Sequence, residues 1–377
     1  MRLRSALTSA WLGGWAALVV AAASCGTQLS IAADPADGSG DGNVVVGAEG
    51  GSVADGAVSS GCDGGLATDP ANCGACGHSC GTSACVDGLC EPAKVQLASG
   101  AAFQDGAHVA VRGATGVMTD GLPFQGGGQA GYVYRFDPTA TPPAAQAVVT
   151  AQYNASLAAA GASQGYWTHT ADTELSDQAN SNVVPGAGNR FIALAASPSG
   201  QVIAARIDTG IDPQEIRIYD APLVLRKGFY VSAPAKGRGV AFVGEDSVLV
   251  AVNGGIDRCS FAGAAVCVPV AASPPSALHV AVSGSDIFFT NVPGELRRGS
   301  LAGPLATTVL MSDVLNARAV AAEPMGAYVL DDNGIRTTRY GAPLVLVKPG
   351  AGKIFDFALA PPWLYFITPT GLYRIHI

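Results

Sequence analysis

The side chains able to do chemistry in this chain are concentrated in its cysteines. Of nine, six fall in one short run: Cys62, Cys73, Cys76, Cys80, Cys85 and Cys90. Cys73, Cys76 and Cys80 stand at C-x2-C-x3-C spacing with His78 between them, a pattern with which thiolates hold zinc or an iron–sulfur cluster. Thiolate sites need a reducing compartment. A cysteine-dense run too short to bury an apolar core is better explained by disulfides in an oxidising one. Disulfides are therefore the expectation and no metal is assigned, although spacing does not choose among the pairings that six cysteines permit. Two further cysteines, Cys259 and Cys267, each lie four residues from Gly263. If Gly263 tops a hairpin, the pair sits across two strands within reach of a disulfide. A slip of one residue would turn the two side chains to opposite faces. The ninth is Cys25.

Other reactive residues form no recognisable constellation. The five histidines, His78, His108, His169, His279 and His376, include no H-x-x-x-H or H-E-x-x-H spacing. Ser197 sits in a turn-like AASPSG stretch, without the G-x-S-x-G of a nucleophile elbow. Asp331, Asp332 and Asn333 could line a cation site, but Asn333-Gly334 is a strong hairpin signal. The DGSGDG passage at 37–42 lacks the alternating ligands and distal Glu of a calcium loop. No catalytic residue and no cofactor is assigned on this basis.

Charge and composition narrow the classes. A net charge of −8, with no run of Lys or Arg beyond pairs such as Arg297–Arg298, counts against a nucleic-acid partner. Charged residues make up 13% of the chain, against 49 Gly and 23 Pro, which suits short strands joined by tight turns.

The chain begins with the pattern of a bacterial secretory signal over residues 1–24. Arg2 and Arg4 precede an apolar run from Leu12 to Ala23, which is too short to span a membrane comfortably. The AASC ending resembles a lipoprotein signal, which implies lipidation of Cys25 and anchoring to the cell envelope. Plain cleavage after Ala23 or Ala33, with secretion, is the alternative. Residues 25–61, rich in Gly, Ala, Ser and Asp, read as a flexible tether. A cysteine-rich module follows at 62–91.

From residue 92 to 377 the chain repeats itself. A small residue in the middle of each leading apolar strand recurs as Ala110, Ala158, Ala195, Ala241, Ala281, Ala321 and Ala358. The steps are 48, 37, 46, 40, 40 and 37 residues. A period near forty made of four short strands is the mark of a β-propeller blade. The expected fold is thus all-β, a seven-bladed propeller with six blades as the alternative. The least regular stretch, from Thr173 to Gly188, is polar enough to be loop. The last copy stops after three strands at Ile377, while KVQLA (94–98) precedes the first copy. That segment is expected to supply the missing strand and close the ring. The aromatics Trp167, Phe288, Tyr328 and Trp363 are expected to pack between blades.

Two stretches resemble known families. DPANCGACG (69–77), followed by Cys80, Cys85 and Gly88-Leu89-Cys90, resembles the stigma-specific cysteine-rich repeat. That repeat also occurs in secreted proteins and lipoproteins of myxobacteria. The resemblance implies a secreted, disulfide-bonded module. Tyr166-Trp167-Thr168, Phe288-Phe289-Thr290 and Tyr365-Phe366 with Thr368 resemble the YWTN-type repeats of bacterial secreted propellers. The opening copy, HVAVRGATG then GYVYRFD, looks more like integrin-type repeats but lacks their clustered Asp ligands. Three functional readings follow. The first is a non-enzymatic envelope lipoprotein whose propeller binds a protein or glycan. The second is a propeller hydrolase or lyase, which would bring carboxylates and His together at one channel mouth. The third is a structural spacer.

Overall fold

The computed structural model describes residues 65–377 apart from 98–102, 122–130, 153–154, 170–172, 179–182, 186–188, 211–212, 233–238, 253, 272–276, 303–305 and 351. The signal segment, Cys25, the tether and Cys62 lie outside the described residues. Seven sheets stand around one axis, and no helix occurs among the described residues. Their inner strands are Val109–Arg112, Ala158–Ala160, Arg190–Ala196, Val240–Phe242, Ala277–Ser283, Ala319–Glu323 and Asp356–Ala360, here numbered blades 1 to 7. Each blade has four antiparallel strands, and in six of them these follow chain order from axis to rim. All seven repeat anchors fall on inner strands, so the period set by small residues is the period of the channel wall. Two parts of the stretch expected as possible loop are strand. Glu174–Asp177 and Val183–Pro185 complete blade 2, with Leu175 paired to Val184 and wholly buried.

Second strands are buried along almost their whole length, as in Ser247–Val252 and Gly326–Asp331. The cause is packing on both faces, which turns the usual alternation into continuous apolar runs. Seven apolar clusters fill seven seams, one between each pair of neighbouring blades. The paired aromatics serve two seams at once. Tyr166 faces blade 3 while Trp167 faces blade 1; Phe288 faces blade 6 while Phe289 faces blade 4. Adjacent strand residues point to opposite faces, so a tandem aromatic gives each seam a ring. Trp363 is only partly buried, with the Arg374 guanidinium 4.1 Å from its ring centroid.

The ring closes through its N-terminal strand, whose pairing with blade 7 begins one residue before KVQLA. Ala93 and Lys94 pair antiparallel with Arg374 and Tyr373 as the fourth strand of blade 7. The Val95 N–H donates to Leu372 O at 2.9 Å. Gln96 and Leu97 belong elsewhere, since they pair parallel with Ala144 and Ala145 on the rim strand of blade 1. Ala93–Leu97 is thus a strap across the seam between blades 7 and 1, with Val95 wholly buried within it. Alternation alone could not show where one partner edge ends and the next begins.

The cysteine module has no apolar core beyond its sulfurs. Among its described residues, Cys73, Cys80, Cys85 and Cys90 form the buried cluster. Cys85 and Cys90 are paired across a hairpin turned by Asp87 (φ 52°) and Gly88 (φ 76°), the backbone that Asp-Gly favours. Cys73 is bonded to Cys85 and Cys80 to Cys90, with Cα separations of 5.6 and 5.2 Å. Cys76 is also disulfide-bonded. The module rests on the rims of blades 6 and 7. His376 Nδ1 lies 2.8 Å from Ser79 O, and the His78 ring is 5.1 Å from that of Tyr340.

Candidate functional site

A propeller of this topology points all its inner strands the same way along the axis. Equivalent repeat positions therefore form rings. Two residues before each anchor stand His108, Ser156, Ala193, Gly239, His279, Ala319 and Asp356, at the mouth where the inner strands begin. The channel within has a cavity volume of about 380 Å³, and its wall is largely Ala, Val and Leu. Polar groups gather at the ends, and most densely at this mouth.

There they run from blade to blade. The His279 Nε2–H donates to Ala317 O (3.1 Å), at the approach to blade 6. Because a carbonyl only accepts, that contact assigns the proton to Nε2. Arg318 donates to Ile354 O of blade 7 (2.5 Å) and to Asp331 O (2.9 Å). On blade 7, one Asp356 carboxylate oxygen accepts from the Val109 N–H (3.0 Å) and lies 3.1 Å from His108 Nδ1, both on blade 1. Gly239 continues the belt on blade 4. Its N–H donates to Leu278 O at 2.9 Å, and a Cβ there would lie 2.7 Å from Val280 N. Only glycine allows the two backbones so close. Four consecutive blades, 5, 6, 7 and 1, thus present an imidazole, a guanidinium, a carboxylate and a second imidazole around one opening. The His108 side chain is 34% exposed and Asp356 13%, so the group meets solvent while its geometry is held by backbone.

The opposite mouth is built differently. Arg112 donates to Ala160, Ala196 and Pro198 carbonyls at 3.1, 3.2 and 2.6 Å, tying blades 1, 2 and 3 together. Burial lowers its hold on the proton, and Glu245 partly restores it. With its donors turned to backbone, Arg112 is a rivet.

The residues singled out by sequence are dispersed. Cys259 and Cys267 are directly paired and bonded, 4.0 Å apart at Cα, in the outer hairpin of blade 4. The C-x2-C-x3-C run holds Cys73 and Cys80 with their sulfurs within 4.8 Å of each other and of Cys90, but all three are oxidised. His78 is buried against them, with Nδ1 2.5 Å from Cys73 O and Nε2 3.6 Å from Cys90 Sγ. Burial lowers its pKa. Asp331 ends a strand at the hairpin Asp332-Asn333 and pairs with Arg336 Nη2 at 2.5 Å. Ser197 is buried in a turn, its Oγ accepting from Val202 N. Of these, only Asp331 touches the channel mouth, through its carbonyl, which accepts from Arg318. His108, His279, Arg318 and Asp356 were not singled out together, since a linear scan sees residues about forty apart. Counting back two or three places from each anchor is the signal that finds them.

These features define a seven-bladed β-propeller with a disulfide-rich region before it. Among solved structures the chain is similar to the WD40 β-propeller domain of Doa1, at 11% identity and a TM-score of 0.56. That likeness covers 73% of this chain and 94% of that one. It is a likeness of fold. No protein-family model and no curated protein matches the chain, so the family resemblances of the cysteine run and blade aromatics rest on the residues quoted for them.

Proposed function

We propose that this chain is a binding platform whose propeller takes a protein or glycan partner at the mouth where its inner strands begin. One observation carries the reading: His279, Arg318, Asp356 and His108 recur at nearly the same repeat position on four adjacent blades, above an apolar channel. Donors and one carboxylate around a rim suit a polar partner inserted from above, because buried polar groups at a site discriminate strongly for what they pair with. A propeller commonly serves such a role by presenting loops on a rigid ring. The signal and Cys25 support an address at the cell envelope, with the tether holding the platform away from the membrane. Fatty-acid labelling that is lost in Cys25→Ala is the expected result for that anchor.

The platform is tested by capture from envelope extracts and by glycan arrays. Both use the exported chain with its disulfides intact. Replacing His108 and His279 together by Ala is expected to weaken partner binding at least tenfold, as each lost polar contact in a discriminating site costs about 1–3 kcal/mol. Arg298→Ala, on the third strand of blade 5 with its side chain half exposed to water, leaves it unchanged. Equal binding by both variants would remove the mouth from the account.

A further inference from the structure

Blade 2 holds a polar group of a different kind. Its second strand, Gly165–His169, pairs with Glu174–Asp177 in a register that sets Trp167 opposite Ser176 and His169 opposite Glu174. Directly paired residues share a face, as do residues two apart on a strand. All four side chains therefore project from one face of the blade, into the seam with blade 1 where Trp167 packs on Val117 and Val133. On that face His169 Nε2 lies 2.6 Å from Ser176 Oγ, and His169 Nδ1 lies 3.2 Å from Glu174 Oε2. A carboxylate only accepts, so Nδ1 carries the proton and Nε2 turns its lone pair to the serine hydroxyl. The serine then donates. This is a nucleophile held by a base, and a base held by a third group. Burial lowers the His169 pKa and Glu174 raises it less, which favours the neutral ring that a general base needs.

A second observation is independent of the first. Trp167, across the ladder from Ser176, is wholly buried, and its indole N–H has no hydrogen-bond partner. Buried donors are nearly always satisfied, and an unsatisfied one calls for a reason. Trp167 is the ladder partner of Ser176, and an unpartnered donor on that face can meet negative charge that exists only while a substrate reacts.

We propose that Ser176, His169 and Glu174 form an acyl-transfer site for small carboxylic esters, with Trp167 as donor to the oxyanion. Ser176 Oγ forms a bond to the ester carbonyl carbon as its proton passes to His169 Nε2. The carbonyl π pair moves onto oxygen, then returns as the C–O bond to the alcohol breaks, and the departing alkoxide takes the proton from Nε2. Water repeats the sequence on the acyl-serine, its proton passing through Nε2 to Ser176 Oγ and leaving the carboxylic acid. Ester and water become acid and alcohol, with no oxidant or cofactor. Glu174 is a positioning residue. The apolar surroundings, Val117, Val133 and Ala160, favour a short aliphatic acyl group. Ser176 is fully buried, so the acyl group must part the seam between blades 1 and 2, which also keeps the site to small substrates. The inference stands apart from the channel-mouth reading, and either can fail without the other.

The test uses the full exported chain with its disulfides formed, a small alkyl fluorophosphonate as covalent probe and p-nitrophenyl acetate as substrate. The expected result is a single phosphonyl adduct, mapped by mass spectrometry to Ser176, and ester hydrolysis that falls to the buffer rate in Ser176→Ala. Glu174→Gln is expected to lower kcat by roughly 10³-fold or more with KM unchanged, by analogy with loss of the orienting acid in serine hydrolases. Glu174→Asp recovers part of that loss, which a merely structural carboxylate would not produce. An unlabelled Ser176 in the wild-type chain overturns the proposal, as does undiminished hydrolysis by Ser176→Ala. The serine, histidine and glutamate would then be a buried hydrogen-bonded staple of blade 2.

Discussion

At the scale of single residues, Asp331 shows how burial decides what a charge is worth. It is wholly buried, and one carboxylate accepts from Arg336 Nη2 and from the Leu315 and Asn333 N–H groups. Arg336 also pairs with Asp313 at 2.8 Å, but the Asp313 side chain is 69% exposed. Burial works against the Arg336 cation, and the two carboxylates more than offset it, raising its pKa; Arg336 in turn holds Asp313 below the usual carboxylate range. The two partners should nevertheless differ sharply in energy. Removing a buried partner strands the other charge, at about 3–5 kcal/mol, whereas exposed pairs contribute about 0–1 kcal/mol. Asp331→Ala is therefore expected to lower the urea midpoint severely and Asp313→Ala hardly at all. Adding Arg336→Met to Asp331→Ala should recover much of the loss. Similar midpoints for the two single variants would show that the desolvation argument does not hold here.

At the scale of elements, the outer hairpin of blade 4 gives the cleanest link from spacing to structure. Cys259 and Cys267 flank Gly263, whose φ of +101° lets the chain reverse, and they face one another in the ladder. A cross-link over so short a loop stabilises by roughly 2 kcal/mol, mainly by restricting the unfolded chain. Replacing both by Ala should cost about that much. Hydrogen exchange should quicken in the rim strand Val266–Ala271 and not in the inner strand Val240–Phe242. Even acceleration through the whole blade would count against a local role. The same contrast explains what could be read from sequence. Hairpins, periods and turn glycines are local, and so Cys259–Cys267, the seven anchors and the Asp332-Asn333 turn are all legible. The strap starts one residue before KVQLA because Ala93 carries no strand signal of its own; its pairing, like that of Lys94, is fixed by the free edge of Gly371–His376. His108 and Asp356 meet across 248 residues, which only the closed ring brings about. The triad of blade 2 was closer to hand. His169–Glu174 and Trp167–Ser176 are ladder partners on consecutive strands, but the polar stretch around them hides the third strand.

At the scale of the whole molecule, the seam between blades 7 and 1 is where a linear chain must become a ring. Several contacts cross it: the apolar cluster of Val109, Met118 and Phe136 with Tyr365 and Ile367, the Tyr365 O–H to Pro138 O at 3.0 Å, and an ion pair from Lys353 to Asp105. The ion pair is exposed on both sides and adds little. What the strap contributes is different in kind. Ala93–Val95 occupies the free edge of blade 7 and Gln96–Leu97 that of blade 1, while the buried Val95 packs between them. A chain lacking residues 1–97 should therefore leave two unpaired edges side by side, and such edges recruit strands from other molecules. Association into higher oligomers is the expected outcome, seen by light scattering together with a lower unfolding midpoint. A synthetic peptide of residues 91–98 supplied in excess should reoccupy both edges and return the truncated chain to monomer. The same peptide with Val95→Pro should not, since proline removes the N–H that bonds Leu372 O and distorts a strand that must serve two partners. If the truncated chain stays monomeric and equally stable, the seam's apolar cluster suffices, and the strap is a tether from the cysteine module rather than the ring's fastening.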